Sequence, residues 1–185
     1  MSILMIDGSG RPGSYNRALL KAFEQILQAI ATFETTTLST SAPALPLLLL
    51  DAESNTASTP ATDAVRHAAM GAKAFVIASP EYNGGPTGGL KNMIDWMTRP
   101  NAAYPKGNPF AGKPVVLLSA SPGVLGGIKG LQVLRLIMGH LRALVLPEQV
   151  ALPNATEAFD ADGRLRPGLP AELIEAAAAQ LAEFV

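Results

Sequence analysis

The run Ala74-Phe75-Val76-Ile77-Ala78 leads into Ser79-Pro80-Glu81-Tyr82-Asn83-Gly84-Gly85-Pro86-Thr87-Gly88-Gly89 and then Leu90-Lys91-Asn92-Met93-Ile94-Asp95-Trp96. Five apolar residues without alternation read as a strand covered on both faces, the pattern of a parallel sheet between helices. The next stretch is too rich in glycine and proline to continue either a strand or a helix. Glycine there lets the backbone come close to a flat ligand. Tyr82 adds an aromatic face and a hydroxyl, and Asn83 adds a donor and an acceptor.

Working outward, the same order appears at residues 3–6, an apolar run followed by Gly8-Ser9-Gly10-Arg11-Pro12-Gly13-Ser14-Tyr15-Asn16. Further apolar runs at 115–118 and 143–146 predict two more buried strands. Residues 33–38 alternate in polarity and carry three threonines and a glutamate, which predicts an edge strand. Helical periodicity lies between them. It places Leu19, Phe23, Ile26 and Ile30 on one stripe, Leu131, Leu134, Met138 and Leu141 on a second, and Leu173, Ala177, Leu181 and Phe184 on a third. Thr59-Pro60 predicts a helix start, with proline at the first helical position. Alternating βα units imply a right-handed doubly wound sheet. A polar second strand belongs at an edge, which selects the order 2-1-3-4-5. The expected fold is therefore α/β and flavodoxin-like: a five-stranded parallel sheet with helices on both faces, forming one domain over residues 1–185. In that order the ends of strands one and three adjoin at the switch point, where such sheets bind ligands.

The first loop supports two readings. Gly8, Gly10 and Gly13 spell G-x-G-x-x-G, the dinucleotide fingerprint, which also requires an acid at the end of strand two. Strand two ends Thr37-Leu38-Ser39, and its acid, Glu34, lies near its start. The hydroxyls of Ser9 and Ser14, the Asn16 amide and the Arg11 guanidinium instead suit a terminal monophosphate at a helix N-terminus. Glycines that merely make the turn, with Ser14 capping the helix, are the plainer alternative.

Composition narrows the function. The chain has 185 residues, 48% hydrophobic and 16% charged, with a formal net charge of -1. Near-neutrality argues against a nucleic-acid partner and against a carrier that docks through a strongly acidic patch. The absence of cysteine removes disulfides, thiolate metal sites and a cysteine nucleophile. Only His67 and His140 are available as imidazole ligands, so no metal site is expected. Apolar runs are too short to span a bilayer, and no basic segment precedes the first one, so no membrane association and a cytoplasmic location are expected.

The combination Gly8-Ser9-x-Arg11-x-x-Ser14-x-Asn16, Pro80-Glu81-Tyr82-Asn83-Gly84 and Leu90-Lys91-Asn92-x-Ile94-Asp95-Trp96 resembles the NAD(P)H-dependent FMN reductases, relatives of quinone, azo-dye and chromate reductases. The resemblance spans roughly residues 2–150. It implies that Ser9, Arg11, Ser14 and Asn16 hold the FMN phosphate, with Gly10 and Tyr15 completing that loop. Pro80, Glu81, Tyr82, Asn83 and Gly84 would lie against the isoalloxazine ring and ribityl chain. The segment Ser119-Ala120-Ser121-Pro122-Gly123 with Gly126-Gly127 resembles the family's strand-four loop. Ser121 and Gly123 would close over the pyrimidine edge, with backbone amides of 121–123 facing N1 and O2. Amides of 83–85 would face N5 or O4. Gly10, Gly85, Pro86, Thr87 and Gly89 depart from the family's usual residues and would trim the wall beside the ring.

The implied activity passes a hydride from NADPH or NADH through bound FMN to a quinone, azo, flavin or metal-oxyanion acceptor, by a ping-pong route. No side chain would act as a catalytic acid, base or nucleophile, because the flavin carries the chemistry. A homodimer or homotetramer is implied by the resemblance alone. A flavodoxin-like electron carrier and a flavin-binding redox-responsive module remain the alternatives, and a Rossmann-type dehydrogenase comes last. Asp95, Trp96, Arg99, Lys91 and Lys129 read as structural or solvated, His67 and His140 as surface residues. The apolar segment 44–50 reads as a lip on the sheet edge or a surface buried by a second subunit.

Overall fold

The computed structural model describes residues 2–42, 44–48, 59–160 and 162–185. The chain runs β1 (Ser2–Asp7), α1 (Tyr15–Ile30), β2 (Glu34–Ser39), α2 (Pro60–Gly71), β3 (Ala74–Ala78), α3 (Gly88–Met97) and β4 (Pro114–Ala120). It continues with α4 (Ile128–His140), β5 (Leu144–Val145), β6 (Val150–Leu152), α5 (Ala155–Ala158) and α6 (Leu169–Ala182). All pairings are parallel, in the order β2-β1-β3-β4-β5, with β6 also on β4. This is the flavodoxin-like order. The polar β2 occupies the edge, as its alternation predicts.

Successive strand residues point to opposite faces, and this divides the interior into two cores. Ile3, Met5, Val76, Val116 and Leu118 pack with Leu19, Phe23 and Leu27 of α1 and Ile174, Ala177 and Leu181 of α6. Leu4, Ile6, Phe75, Ile77, Val115 and Leu117 pack with α2, α3 and α4 through Val65, Leu90, Met93, Leu131 and Leu134. Helix α2 begins as its sequence predicts. Thr59 and Thr62 form a reciprocal capping box, and Pro60 takes the first helical position.

Three expectations are corrected. Among the described residues the sheet has six strands, because the predicted fifth one, residues 143–146, shrinks to Leu144–Val145 and β6 completes its position. β5 pairs with the start of β4 at Pro114 and Val115, and β6 pairs with its end at Leu118 to Ala120. Between them Pro147 has no N–H to offer a ladder. Arg135 of α4 donates to the carbonyls of Val145 (3.4 Å), Leu146 (2.8 Å) and Pro147 (3.5 Å), satisfying the detour. In α1, Ile30 is 47% exposed, and Leu20 and Leu27 are buried beside Leu19 and Phe23. In α6, Leu173 is exposed while Ile174, Ala177, Ala178 and Leu181 are buried, and Phe184 lies exposed beyond the helix end. The run Ala176-Ala177-Ala178-Ala179 gives that helix no strong phase, so tertiary packing chooses the face.

The segment 44–48 is fastened to α3. The Asn92 side chain accepts from the Leu48 amide (2.9 Å) and donates to the Pro46 carbonyl (2.9 Å). The Trp96 indole also donates to Pro46 (2.8 Å). Leu45 and Leu48 pack on the α2–α3–α4 core while Leu47 is exposed, so the lip is held by its own chain. Leu49 and Leu50 lie outside the described residues.

Candidate functional site

Loops following β1, β3 and β4 converge at the carboxyl end of the sheet. Register aligns Asp7 with Ala78 and Ala78 with Leu118, so the three loops leave the sheet side by side. Gly8 donates to the Ala78 carbonyl (2.8 Å), and a Cβ on Gly8 would sit only 2.8 Å from that oxygen, so a side chain would push the first two loops apart.

The first loop is organised from below by Asp7, which is 1% exposed. Its Oδ1 accepts from the Ser9 amide (2.9 Å), and its Oδ2 accepts from Arg17 Nε (2.7 Å) and Ser39 Oγ (3.0 Å). Arg17 Nη2 also donates to the Ser9 carbonyl (3.3 Å). Ser14 caps α1, its Oγ accepting from the amides of Asn16 (3.2 Å) and Arg17 (3.5 Å). The Arg11 guanidinium lies 5.9 Å from the centre of the Tyr15 ring, which stacks on Phe159.

The second loop folds back on itself. Tyr82 and Gly85 exchange two backbone hydrogen bonds (2.9 and 3.1 Å). Asn83 and Gly84 between them have φ of 52° and 79°. Positive φ at both central residues is the primed turn that Asn-Gly favours. Tyr82 stands 58% exposed beside it. Thr87 caps α3 by accepting from the Leu90 amide (3.1 Å), and its hydroxyl donates to the Gly8 carbonyl (2.7 Å). The Glu81 carboxylate accepts from the Gly130 amide (2.9 Å) in the first turn of α4. There a negative group complements the helix dipole, and the N-cap residue, Gly127, has no side chain to do so.

The third loop is tied to the first by Asn16. Asn16 Nδ2 donates to the Ala120 carbonyl and its Oδ1 accepts from the Ala120 amide, each at 2.9 Å. The Ser121 amide donates to Leu152 (3.0 Å) and the Gly123 amide to Ser121 Oγ (3.2 Å). Pro122 has no N–H, so these amides are committed within the protein. The sequence expectation that they face a ligand is corrected accordingly. In the second loop the Gly85 amide is likewise taken by Tyr82, which leaves the turn-tip amides of Asn83 and Gly84 outside the turn's own bonds.

A cavity of about 180 Å³ opens where the loops meet. It is lined by Ser9, Arg11, Ser14, Tyr15, Asn16, Pro80, Glu81, Tyr82 and Ser121, together with Ala120 and Pro122. Nine predicted site residues are thus brought together. Gly10, Asn83, Gly84 and Gly123 do not line it: Gly10 and Gly123 are exposed, and Asn83 and Gly84 form the turn tip. Sequence reasoning missed Asp7, Arg17 and Thr87 as organisers. The available signals were a lone acid closing an apolar strand and a threonine just ahead of a helix. A larger open cleft of about 780 Å³ lies at the start of α2, between Pro60 and Tyr104, away from the strand ends.

The chemistry of the cavity fits one end of a flavin nucleotide. Two hydroxyls and a guanidinium surround the N-terminus of α1, a donor set for a phosphate. The volume is below the roughly 300–1,000 Å³ that encloses a whole small molecule.

The sheet order, with this cradle at the switch point, places the chain in the flavodoxin-like class. The sequence profile of the NADPH-dependent FMN reductases matches residues 1–157, and the chain belongs to that family. An NAD(P)H-dependent FMN reductase of Pseudomonas aeruginosa is 36% identical over 177 residues, covering 95% of this chain and 90% of that protein. A quinone reductase of Escherichia coli is 34% identical over 146 residues, covering 79% and 73%. Among solved structures, the flavoenzyme NAD(P)H:(acceptor) oxidoreductase FerB of Paracoccus denitrificans superposes with a TM-score of 0.84 at 23% identity, covering 99% of this chain and 96% of that one. The chain is accordingly a flavin-dependent oxidoreductase with FMN as cofactor and NAD(P)H as co-substrate. No helix among the described residues is long and apolar enough to cross a membrane.

Proposed function

We propose that this enzyme oxidises NAD(P)H and reduces a small acceptor at a single open face, in alternating half-reactions. The observation that carries this reading is the cavity joining all three loops, with its donors at α1 and an uncovered aromatic shelf beside it. Ser9, Arg11 and Ser14 hold the phosphate. Pro80, Glu81, Tyr82, Asn83 and Gly84 form the shelf for the ring, with Asn83 and Gly84 amides toward its N5 and O4 edge. Ser121 and Pro122 border the pyrimidine side. Bound there, FMN supplies the two-electron chemistry, accepting a hydride from the nicotinamide and passing both electrons to the acceptor.

The residues contribute position rather than proton transfer. The exposed Tyr82 leaves a face that donor and acceptor would use in turn, which supports a ping-pong order. An open face discriminates by shape only weakly, so quinones, azo compounds, free flavin and metal oxyanions all suit it. One domain over residues 1–185 is the reading supported by the two cores of the described residues, which share one sheet. Exposed Leu136, Val124 and Leu125 suit burial in a homodimer or homotetramer, and a cytoplasmic setting, where reduced nicotinamide is regenerated, suits the reaction.

The test is an anaerobic titration of FMN-loaded protein with NADPH, followed by flavin absorbance. Bleaching by one equivalent of NADPH, with recovery on adding a quinone after the nicotinamide has been removed, is expected. A bound flavin that NADPH does not reduce would refute the enzyme reading in favour of a carrier or sensor.

A further inference from the structure

A buried carboxylate directly beneath a phosphate cradle is an electrostatic contradiction unless something neutralises it. Asp7 is 1% exposed and its Oδ1 holds the Ser9 amide at 2.9 Å, so it shapes the residue whose hydroxyl lines the cavity. Its other oxygen meets Arg17 Nε at 2.7 Å, while the Arg17 side chain remains 46% exposed. Arg17 also donates to the Ser9 carbonyl at 3.3 Å, so the pair grips the same residue at both its amide and its carbonyl. Ser39 completes the carboxylate's shell at 3.0 Å. Removing one partner of such a pair leaves an uncompensated buried charge, and like charges repel more strongly in a partly desolvated site than in water.

We propose that Asp7 and Arg17 form a positioning pair for the phosphate of FMN. Asp7 fixes the loop through the Ser9 amide, and Arg17 cancels the charge that would otherwise repel a dianion from the adjoining cavity. This rests on the reading that Ser9, Arg11 and Ser14 hold that phosphate. The pair selects FMN over riboflavin without touching the ligand.

The experiment compares dissociation constants of FMN and riboflavin for the apoprotein by quenching of flavin fluorescence, alongside thermal melting. Wild type is expected to prefer FMN. Arg17→Met is expected to reduce that preference by about tenfold or more, whereas Arg17→Lys, which keeps the charge, changes it by less than about threefold. The double variant Asp7→Asn/Arg17→Met buries no lone charge and is expected to recover the preference to within about threefold of wild type. Equal weakening of FMN and riboflavin in Arg17→Met would overturn the proposal and leave a purely structural pair. A double variant as poor in FMN preference as Arg17→Met would overturn it as well. If Arg17→Met does not fold, Arg17→Gln, which keeps a hydrogen-bond donor for Asp7 but no charge, carries the decision by the same ratio. A wild type that binds both flavins equally would instead refute the phosphate assignment on which the pair depends.

Discussion

Asn16→Ala separates two roles for one residue, ligand and clamp. Asn16 is 3% exposed, and its amide oxygen and one amide hydrogen bond the two backbone groups of Ala120, 104 residues away. Truncation would orphan both the N–H and the C=O of a residue that is itself 4% exposed. Each buried group left unpaired costs about 1–3 kcal/mol. The adjoining cavity can admit water to one of them, which sets the expected loss at about 2–4 kcal/mol. For a chain of this size, each kcal/mol lowers the melting temperature by roughly 2–4 °C, so the apoprotein should melt about 4–16 °C below wild type. Asn16→Asp should fall in the same direction, since it keeps the acceptor for the Ala120 amide but sets oxygen against the Ala120 carbonyl. The assay is thermal and urea unfolding of flavin-free protein, followed by FMN and riboflavin binding. Because the clamp joins the first loop to the third, both flavins should weaken together. An apoprotein whose melting is unchanged within about 1 °C, with FMN alone weakened, would refute the clamp and return Asn16 to the role of phosphate ligand.

Thr87→Val removes both the cap of α3 and the bond to the Gly8 carbonyl. A loss of about 1–3 kcal/mol in urea unfolding is expected, and Thr87→Ser, which keeps the hydroxyl, should retain most of it. Trp96→Phe loses the indole bond to Pro46. Faster hydrogen exchange at the Leu48 amide, by a factor reflecting about 1 kcal/mol, is expected; unchanged exchange would show that Asn92 alone holds the segment. Lys113 has its pKa lowered, first by burial and then by the charge of Lys73. Between that lowered value and the ordinary lysine value of about 10.4, the unfolded chain binds more protons, so stability rises with pH across that window. Wild type should gain on Lys113→Met over that range in urea midpoints measured at several pH values, and parallel curves would contradict the shift.

The sheet order was legible because one strand differed in kind. Three consecutive threonines at 35–37 make β2 polar enough to mark an edge, and the apolar runs of β1, β3 and β4 mark covered strands. The split of the fifth position was not legible, because its carbonyls are satisfied by Arg135 from a different element. The face of α6 was ambiguous for a local reason: an alanine run leaves the phase to whichever neighbours pack best. At the site, glycines and hydroxyls announced where a ligand would sit. They could not announce what each polar side chain would be spent on. Ser14, Asn16 and Thr87 are residue types that suit a ligand and suit a cap equally well. Which one prevails depends on partners as distant as the 104 residues between Asn16 and Ala120 or the 79 between Thr87 and Gly8.

Those distant partners follow one plan. Thr87 ties the second loop to the first at Gly8, Asn16 ties the first to the third at Ala120, and Glu81 ties the second to the start of α4, which follows the third. Each pair of loops is thus joined by one side chain bonded to backbone, closing a triangle around the cavity. Bonds to backbone fix where a loop runs, whatever its side chains become, so residues facing the acceptor can vary without loosening the cradle. A site whose loops are ordered before the ligand arrives spends little binding energy on ordering them. For an enzyme whose cofactor performs the chemistry, that is where the protein's contribution lies: holding the loops around the cradle at a fixed place.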